Sequence, residues 1–383
     1  MKRHAMKLLR ITLPNGHKML EEGFTVDFLT KTRVDKDTEN PDLFSLFEGF
    51  YYPIETVFIG KNSSGKTTVI QLLHSIVRFL LTGRFASDVL LEETHLSFEA
   101  IFCESESIFH YSGSFRKMDD VNSPFLMIEN EFLRKTTFKQ SYRKNLSNIY
   151  FLKENLIKPS IGGDTSEVRS FVTSDASVWP DVLSHDDKTI ASLINASFDV
   201  FGKDVFGKVI QLFDDSVEYI KPFAESGEKN GFLFKRINKP ERIATYDYIA
   251  RTLSAGTFRG ITLFLSSLLA FRRGGTVFVD EIEKSFNRNL VQNLILLFND
   301  ATINIAHATL VYTTHYAELL DDNDRTDNIN VLHREVDRIS IKNLCTDYEV
   351  RTTISKSNQF NQNAFDNLAN YDRLMSLRRA LRE

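Results

Sequence analysis

The chain is poor in cysteine: Cys103 and Cys345 are the only two in 383 residues. Two thiols this far apart build neither a disulfide framework nor a zinc site, which needs closely spaced ligands. Their scarcity fits a reducing, intracellular setting, and a cytoplasmic location is the expectation that follows. No apolar run approaches the roughly 18 residues of a membrane span, so no membrane association is expected. The start, MKRHAMKLLRITL, is basic and then apolar. It lacks the long hydrophobic region and small-residue cleavage site of a secretion signal and reads as a first strand. Neither charge dominates: 47 Lys and Arg against 51 Asp and Glu leave a net charge of -4. No global field draws the chain to nucleic acid, and any such contact has to come from a local patch. Internal repeats, low-complexity tracts and sustained heptads are missing, so nothing marks a long coiled coil. Tryptophan occurs once, whereas phenylalanine occurs 32 times. Phenylalanine makes large apolar contacts with no polar atom to satisfy, and the excess reads as core packing.

The ends read as one folding unit and the middle as an insertion. Residues 5 to about 30 alternate like strands, and TVFIG at 56–60 is a short apolar strand bounded by glycine. Val69, Ile70, Leu73, Val77 and Leu80 then recur at helical spacing. Residues 96–115 predict a hairpin of two alternating strands. Four segments follow from this order: 1–120, 121–245 as a mainly helical insertion, 246–345, and a tail at 346–383 in which Leu374, Leu377 and Leu381 share one helix face. The fold class expected is α/β, a mixed sheet flanked by helices.

GKNSSGKTT, at 60–68, is the strongest single feature. It has the phosphate-loop form of glycine, four residues and Gly-Lys-Ser/Thr, with an apolar strand before it and an amphipathic helix after it. Gly60 and Gly65 let the backbone of Lys61, Asn62, Ser63 and Ser64 fold tightly, so that amide groups converge on phosphate. The helix points its positive end at the same place. Lys66 adds a point charge, Thr67 brings a hydroxyl suited to Mg²⁺, and Thr68 continues the helix start. The candidate ligands are therefore ATP and Mg²⁺.

RRGGTVFVDEIE predicts a buried strand delivering Asp280 and Glu281 to the carboxyl edge of the sheet, where ligands bind in open α/β folds. Asp280 would hold Mg²⁺ with Thr67, and Glu281 would act as general base on water. Upstream, LSAGT opens an apolar helix. Ser254 and Gly256 offer a hydroxyl, free amides and a helix dipole, which together suit a terminal phosphate; a plain serine cap would look the same. One chain needs only one phosphate loop, so the second such turn points to a neighbouring subunit. ATLVYTTH ends a further strand at His315, within reach of phosphate or water in catalysis, although strand-end histidines are also structural.

These elements in this order resemble the ABC ATPases, in their SMC-like and OLD-like branch. The phosphate loop with Asn62, the LSAGT signature, the VDEIE strand and TTHYAELLD carry the resemblance, which covers about 6–85 and 245–345. It implies that Ser254 and Gly256 contact the γ-phosphate of ATP held by a partner subunit, in a head-to-tail homodimer or higher homo-oligomer, and that His315 is the switch residue. The family's Leu-His-Pro turn is replaced by Phe286, Asn287 and Arg288. The acidic nuclease module of some relatives has no counterpart in the roughly seventy residues after His315. Stand-alone heads of this kind imply a sensor in anti-phage defence with a separate toxin or nuclease effector. The alternative is a DNA-repair or chromosome-associated ATPase that clamps duplex DNA. For that reading the relevant stretch is 132–158, with seven Lys and Arg against one Glu among aromatic residues. It reads either as a nucleic-acid patch or as a solvated basic face over an aromatic core.

Overall fold

Alternation of buried and half-buried positions in β1 (Lys7–Leu13) and β2 (Phe24–Asp27) is what an antiparallel sheet with one covered face requires. In this computed structural model the two pair antiparallel, and a short hairpin, β3 (Leu43–Phe47) with β4 (Phe50–Pro53), leads to β5 (Glu55–Ile59). The structure describes residues 5–35, 40–47, 49–85, 94–118, 125–139, 142, 149, 156–157, 162–180, 187–225, 228–284, 287–351, 353–365, 375 and 378–381. β5 is buried at every position and runs into α1 (Lys66–Thr82). The whole predicted stripe of α1, from Val69 to Leu80, is buried, and Gly83 closes the helix in the left-handed region.

The predicted hairpin is present as β6 (His95–Glu104) and β7 (Ser107–Met118). β8 (Phe125–Thr137) pairs with β7 along its length, giving a five-stranded antiparallel sheet in the order β2-β1-β6-β7-β8. The inner face of this sheet shows why phenylalanine is abundant. Phe79 of α1 packs edge-on against Phe98 and Phe115, which stack on each other, with Phe85 filling the remaining side.

Among its described residues, the segment expected to be a largely helical insertion carries more strand than helix. Besides β8 it holds one long helix, α2 (Asp187–Gln211), broken at Gly202 where φ is 71. A three-stranded sheet follows, made of β9 (Val217–Glu225), β10 (Glu228–Arg236) and β11 (Arg242–Ala244). Mixed polarity hid these strands: they pair with their chain neighbours in a small sheet, and the apolar signal per strand is weak.

After α3 (Tyr246–Thr252) comes α4 (Ala255–Arg273), capped by Ser254, whose Oγ accepts from the Thr257 amide at 3.0 Å. β12 (Thr276–Val279), α5 (Arg288–Asn299) and β13 (Thr309–Thr314) complete a parallel core. β14 (Ile329–Arg334) pairs parallel with β5, and β15 (Ile339–Asn343) turns back on β14. The order β12-β13-β5-β14-β15 puts β5 in the centre, with α1 packed on β12 and β13. A short helix, α6 (Lys356–Asn361), docks near Asp321, whose carboxylate accepts from the Ser357 amide at 3.0 Å. Of the predicted tail helix, Leu374 and Leu377 lie outside the described residues.

Candidate nucleotide site

β5 ends in the middle of the parallel sheet, so the loop that follows opens at the sheet's carboxyl edge. Two glycines shape it. Gly65 has a φ of 92, and a Cβ there would lie 2.5 Å from Ile339 Cδ1. A Cβ on Gly60 would lie 2.5 Å from Ser64 Oγ and 2.7 Å from the Leu332 carbonyl. Ser63 also sits in the left-handed region, with φ 62. Lys66 folds back over the loop and donates to the carbonyls of Gly60 at 2.8 Å and Lys61 at 3.0 Å. Burial lowers its pKa to about 8, against the opposing pull of Glu281, Asp280 and Glu283. Ser64 is fully buried, and its Oγ has no hydrogen-bond partner among the described residues.

Facing the loop, β12 and β13 deliver the acidic and histidine ends. The Asp280 carboxylate accepts from Thr67 Oγ1 on one oxygen and from Thr313 Oγ1 on the other, both at 2.7 Å. The Thr313 hydroxyl also accepts from the Glu281 amide at 2.7 Å. Glu281 has a φ of 48, an unusual conformation for a residue with a Cβ and one concentrated at functional sites. Its carboxylate meets His315 Nε2 at 3.3 Å and pairs with Lys284. Burial would raise its pKa, but the hydrogen bonds from Lys284 and His315 outweigh it and hold the carboxyl below its usual range. Glu283 accepts from the His315 amide at 2.6 Å and from Thr314 Oγ1 at 2.9 Å, which fixes the end of β13.

The result is a cleft of about 670 Å³ lined by Asn62 through Thr68, Glu281 and His315, together with Lys18, Met19, Arg334 and Ile339. Gly60 and Lys61 act from behind through their carbonyls, and Asp280 through Thr67. Ser254 and Gly256 do not line it; Ser254 is exposed at the start of α4. Four lining residues were not legible in the sequence. Lys18 and Met19 come from the β1–β2 connection, which is tied to β15 through the Ile339 amide and the Met19 carbonyl at 2.6 Å. Arg334, at the end of β14, donates to the Ser63 carbonyl at 3.0 Å. Thr313 was legible only as a strand residue. The replaced turn is partly resolved by function: Asn287 caps α5 and Arg288 pairs with Asp322, while Phe286 lies outside the described residues.

The donor set suits Mg²⁺, a hard cation that prefers carboxylate and hydroxyl oxygens. Thr67 Oγ1 and the Asp280 carboxylate already face each other, and the orphaned Ser64 Oγ and the two glycine approaches leave a cradle matched to phosphate oxygens.

Fold and loop together define a P-loop nucleotide-binding domain. A family profile described as "AAA domain, putative AbiEii toxin, Type IV TA system" matches residues 56–321, from β5 to just beyond His315. The chain belongs to this family of ATPase domains. No curated protein matches the chain. A solved structure, the "SMC head domain from Thermotoga maritima", is similar at 12% identity over 90% of this chain and 100% of that one. The TM-score of that match is 0.42.

Proposed function

We propose that the chain binds ATP with Mg²⁺ and hydrolyses it as an ABC-type head, in a head-to-tail homo-oligomer that serves as a nucleotide-dependent regulator of a separate toxin or nuclease in anti-phage defence. The observation that carries the ATPase part is the convergence of Lys66, Thr67, Asp280, Glu281 and His315 on one cleft through direct hydrogen bonds. Lys66 meets the phosphates, and the amides of Asn62 to Thr68 cradle them. Thr67 and Asp280 would hold Mg²⁺, which supplies charge neutralisation between phosphate oxygens. Glu281, ionised and oriented by His315 and Lys284, takes the proton of the attacking water. His315 then stands beside the oxygen that gains charge.

The family description, with its toxin-system wording, supports the defence part. Among the described residues, the aromatic groups on which the clamp alternative would stack bases are engaged by the chain itself. Phe138 stacks on Phe47 and meets Phe50 edge-on, Tyr142 is buried, and Phe132 lies under Arg134. Tyr150 and Phe151 lie outside the described residues.

The test is the Glu281→Gln protein, co-expressed with its neighbouring genes. It should bind ATP, turn over at least about a hundredfold more slowly than wild type, the scale of general-base loss, and retain a stoichiometric protein companion. Hydrolysis at near wild-type rate would remove Glu281 from the role of base. Tight, salt-sensitive duplex binding without a companion would overturn the defence reading.

A further inference from the structure

The peptide between Asp280 and Glu281 is held at both poles by different elements. Its N–H donates to Thr313 Oγ1 on β13 at 2.7 Å, and its C=O accepts from Arg259 Nη2 on α4 at 3.3 Å. A peptide unit is rigid and planar, so these two contacts define its rotation about the chain axis. That rotation sets where the following Cα projects its side chain. The following residue is Glu281, whose φ of 48 is one that residues with a Cβ leave when free to do so.

Thr313 cannot do this alone, since its hydroxyl is shared with the Asp280 carboxylate. Arg259 is half-buried on α4, five residues beyond Ser254, and α4 has little freedom to shift. Its Gly260 approaches Phe213 so closely that a Cβ would lie 2.2 Å from the ring. An arginine suits the task because its planar fork reaches a carbonyl at a defined angle and stays charged at every working pH.

We propose that Arg259 is a positioning residue for hydrolysis: through the Asp280 carbonyl it holds the Asp280–Glu281 peptide in the orientation that aims the Glu281 carboxylate at the cleft. This rests on the reading of Glu281 as the general base. Arg259 is not among the residues that line the cleft.

The test uses the full chain with Arg259→Gln and Arg259→Lys, measuring kcat, KM for ATP and thermal stability. Displacing a catalytic group by about an ångström costs up to a hundredfold in rate, so the Gln variant should lose roughly tenfold or more in kcat with KM near wild type. The Lys variant, which keeps a charged donor on a long stem, should recover part of that loss. ATP binding in an Arg259→Gln, Glu281→Gln double variant should match that of Glu281→Gln alone, which reports that the cleft is folded. Wild-type kcat in the Gln variant overturns the proposal. So does a loss of kcat that tracks equal losses of ATP binding and stability, because a merely structural arginine behaves that way. Wild type and Glu281→Gln run alongside separate the two readings. If wild type does not hydrolyse ATP, the ATPase assignment fails; if both controls behave as expected and Arg259→Gln does not, only the positioning role fails.

Discussion

Lys66 carries a conflict at the residue scale. Burial drives its ammonium towards the neutral form while three carboxylates favour the charge, and the balance falls at about 8 rather than at the 10.5 of an exposed lysine. Binding of a polyanion needs the charged form, because charge-assisted contacts to phosphate are the strong ones. The sign follows: below about pH 8 the site is armed, and as pH rises through that value the nucleotide-free protein loses its cation. Apparent ATP affinity should therefore fall by up to about tenfold per pH unit above about pH 8, as expected for one required ionisation. Glu281, whose carboxyl lies below its usual range, stays ionised throughout and adds no slope of its own. Titrations of the wild-type protein with a non-hydrolysable ATP analogue from about pH 7 to about pH 9.5 read this directly, and a flat profile would mean that Lys66 is charged well beyond that range.

Between elements, the pairing of β5 with β13 includes a buried polar contact below the site: Tyr312 Oη donates to Glu55 at 3.1 Å. Burial pushes the Glu55 carboxyl up to about 7, against the Tyr312 hydrogen bond, with Asp42 and Asp322 adding to the rise. A carboxyl whose folded pKa exceeds its unfolded value binds more protons folded than unfolded between those values. Stability then falls as pH rises from about 4.5 to about 7, by on the order of a few kcal/mol for a shift of this size. Glu55→Gln keeps an acceptor for Tyr312 but does not titrate, so its melting temperature should drop less than that of wild type between about pH 5 and about pH 8. Parallel slopes for the two proteins would remove Glu55 as the cause.

The same pair of strands shows what could be read beforehand. β5, β12 and β13 are legible because strands covered on both faces read as short runs dominated by apolar and β-branched residues, and the glycine-lysine loop is legible because phosphate dictates its backbone. Asp280, Glu281 and His315 follow from where those strands end. β8 and the β9–β11 sheet were missed because strands of mixed polarity show no clean period, and their packing context rather than local pattern decides them. Lys18, Met19 and Arg334 enter the cleft through contacts across hundreds of residues, which leave no mark on local sequence. Asp321 and Asp322 anchor α6 and α5 through contacts that local sequence does not mark either.

On the scale of the whole molecule, the α4 N-terminus has the form of a phosphate-binding turn but lies apart from the cleft. Ser254 and Gly256 form a capped, exposed helix start outside the chain's own cleft, and among the described residues no helix is long and apolar enough to cross a membrane and supply an output there. A phosphate-suited turn that lies outside its own chain's cleft is explained if a second copy docks its cleft against it, with the symmetric contact made in return. Each dimer then contains two composite sites, every one built from the phosphate loop of one subunit and the α4 start of the other. Lys66→Ala damages the first half and leaves the second intact; Ser254→Arg does the reverse, placing a bulky cation where the turn should close. Each variant alone should be inactive, since both composite sites of its homodimer carry the lesion. In a mixed dimer the two lesions fall on one site, and the other site is wild type in both halves. Equal mixing gives about half heterodimers if association is random, so about a quarter of all sites should be intact, and about a quarter of wild-type activity should return if sites act independently. ATPase assays of the two proteins before and after mixing read this out. No recovery, in a mixture shown by tagged subunits to have exchanged, would mean that loop and turn serve the same subunit's nucleotide and that the head-to-tail arrangement is wrong.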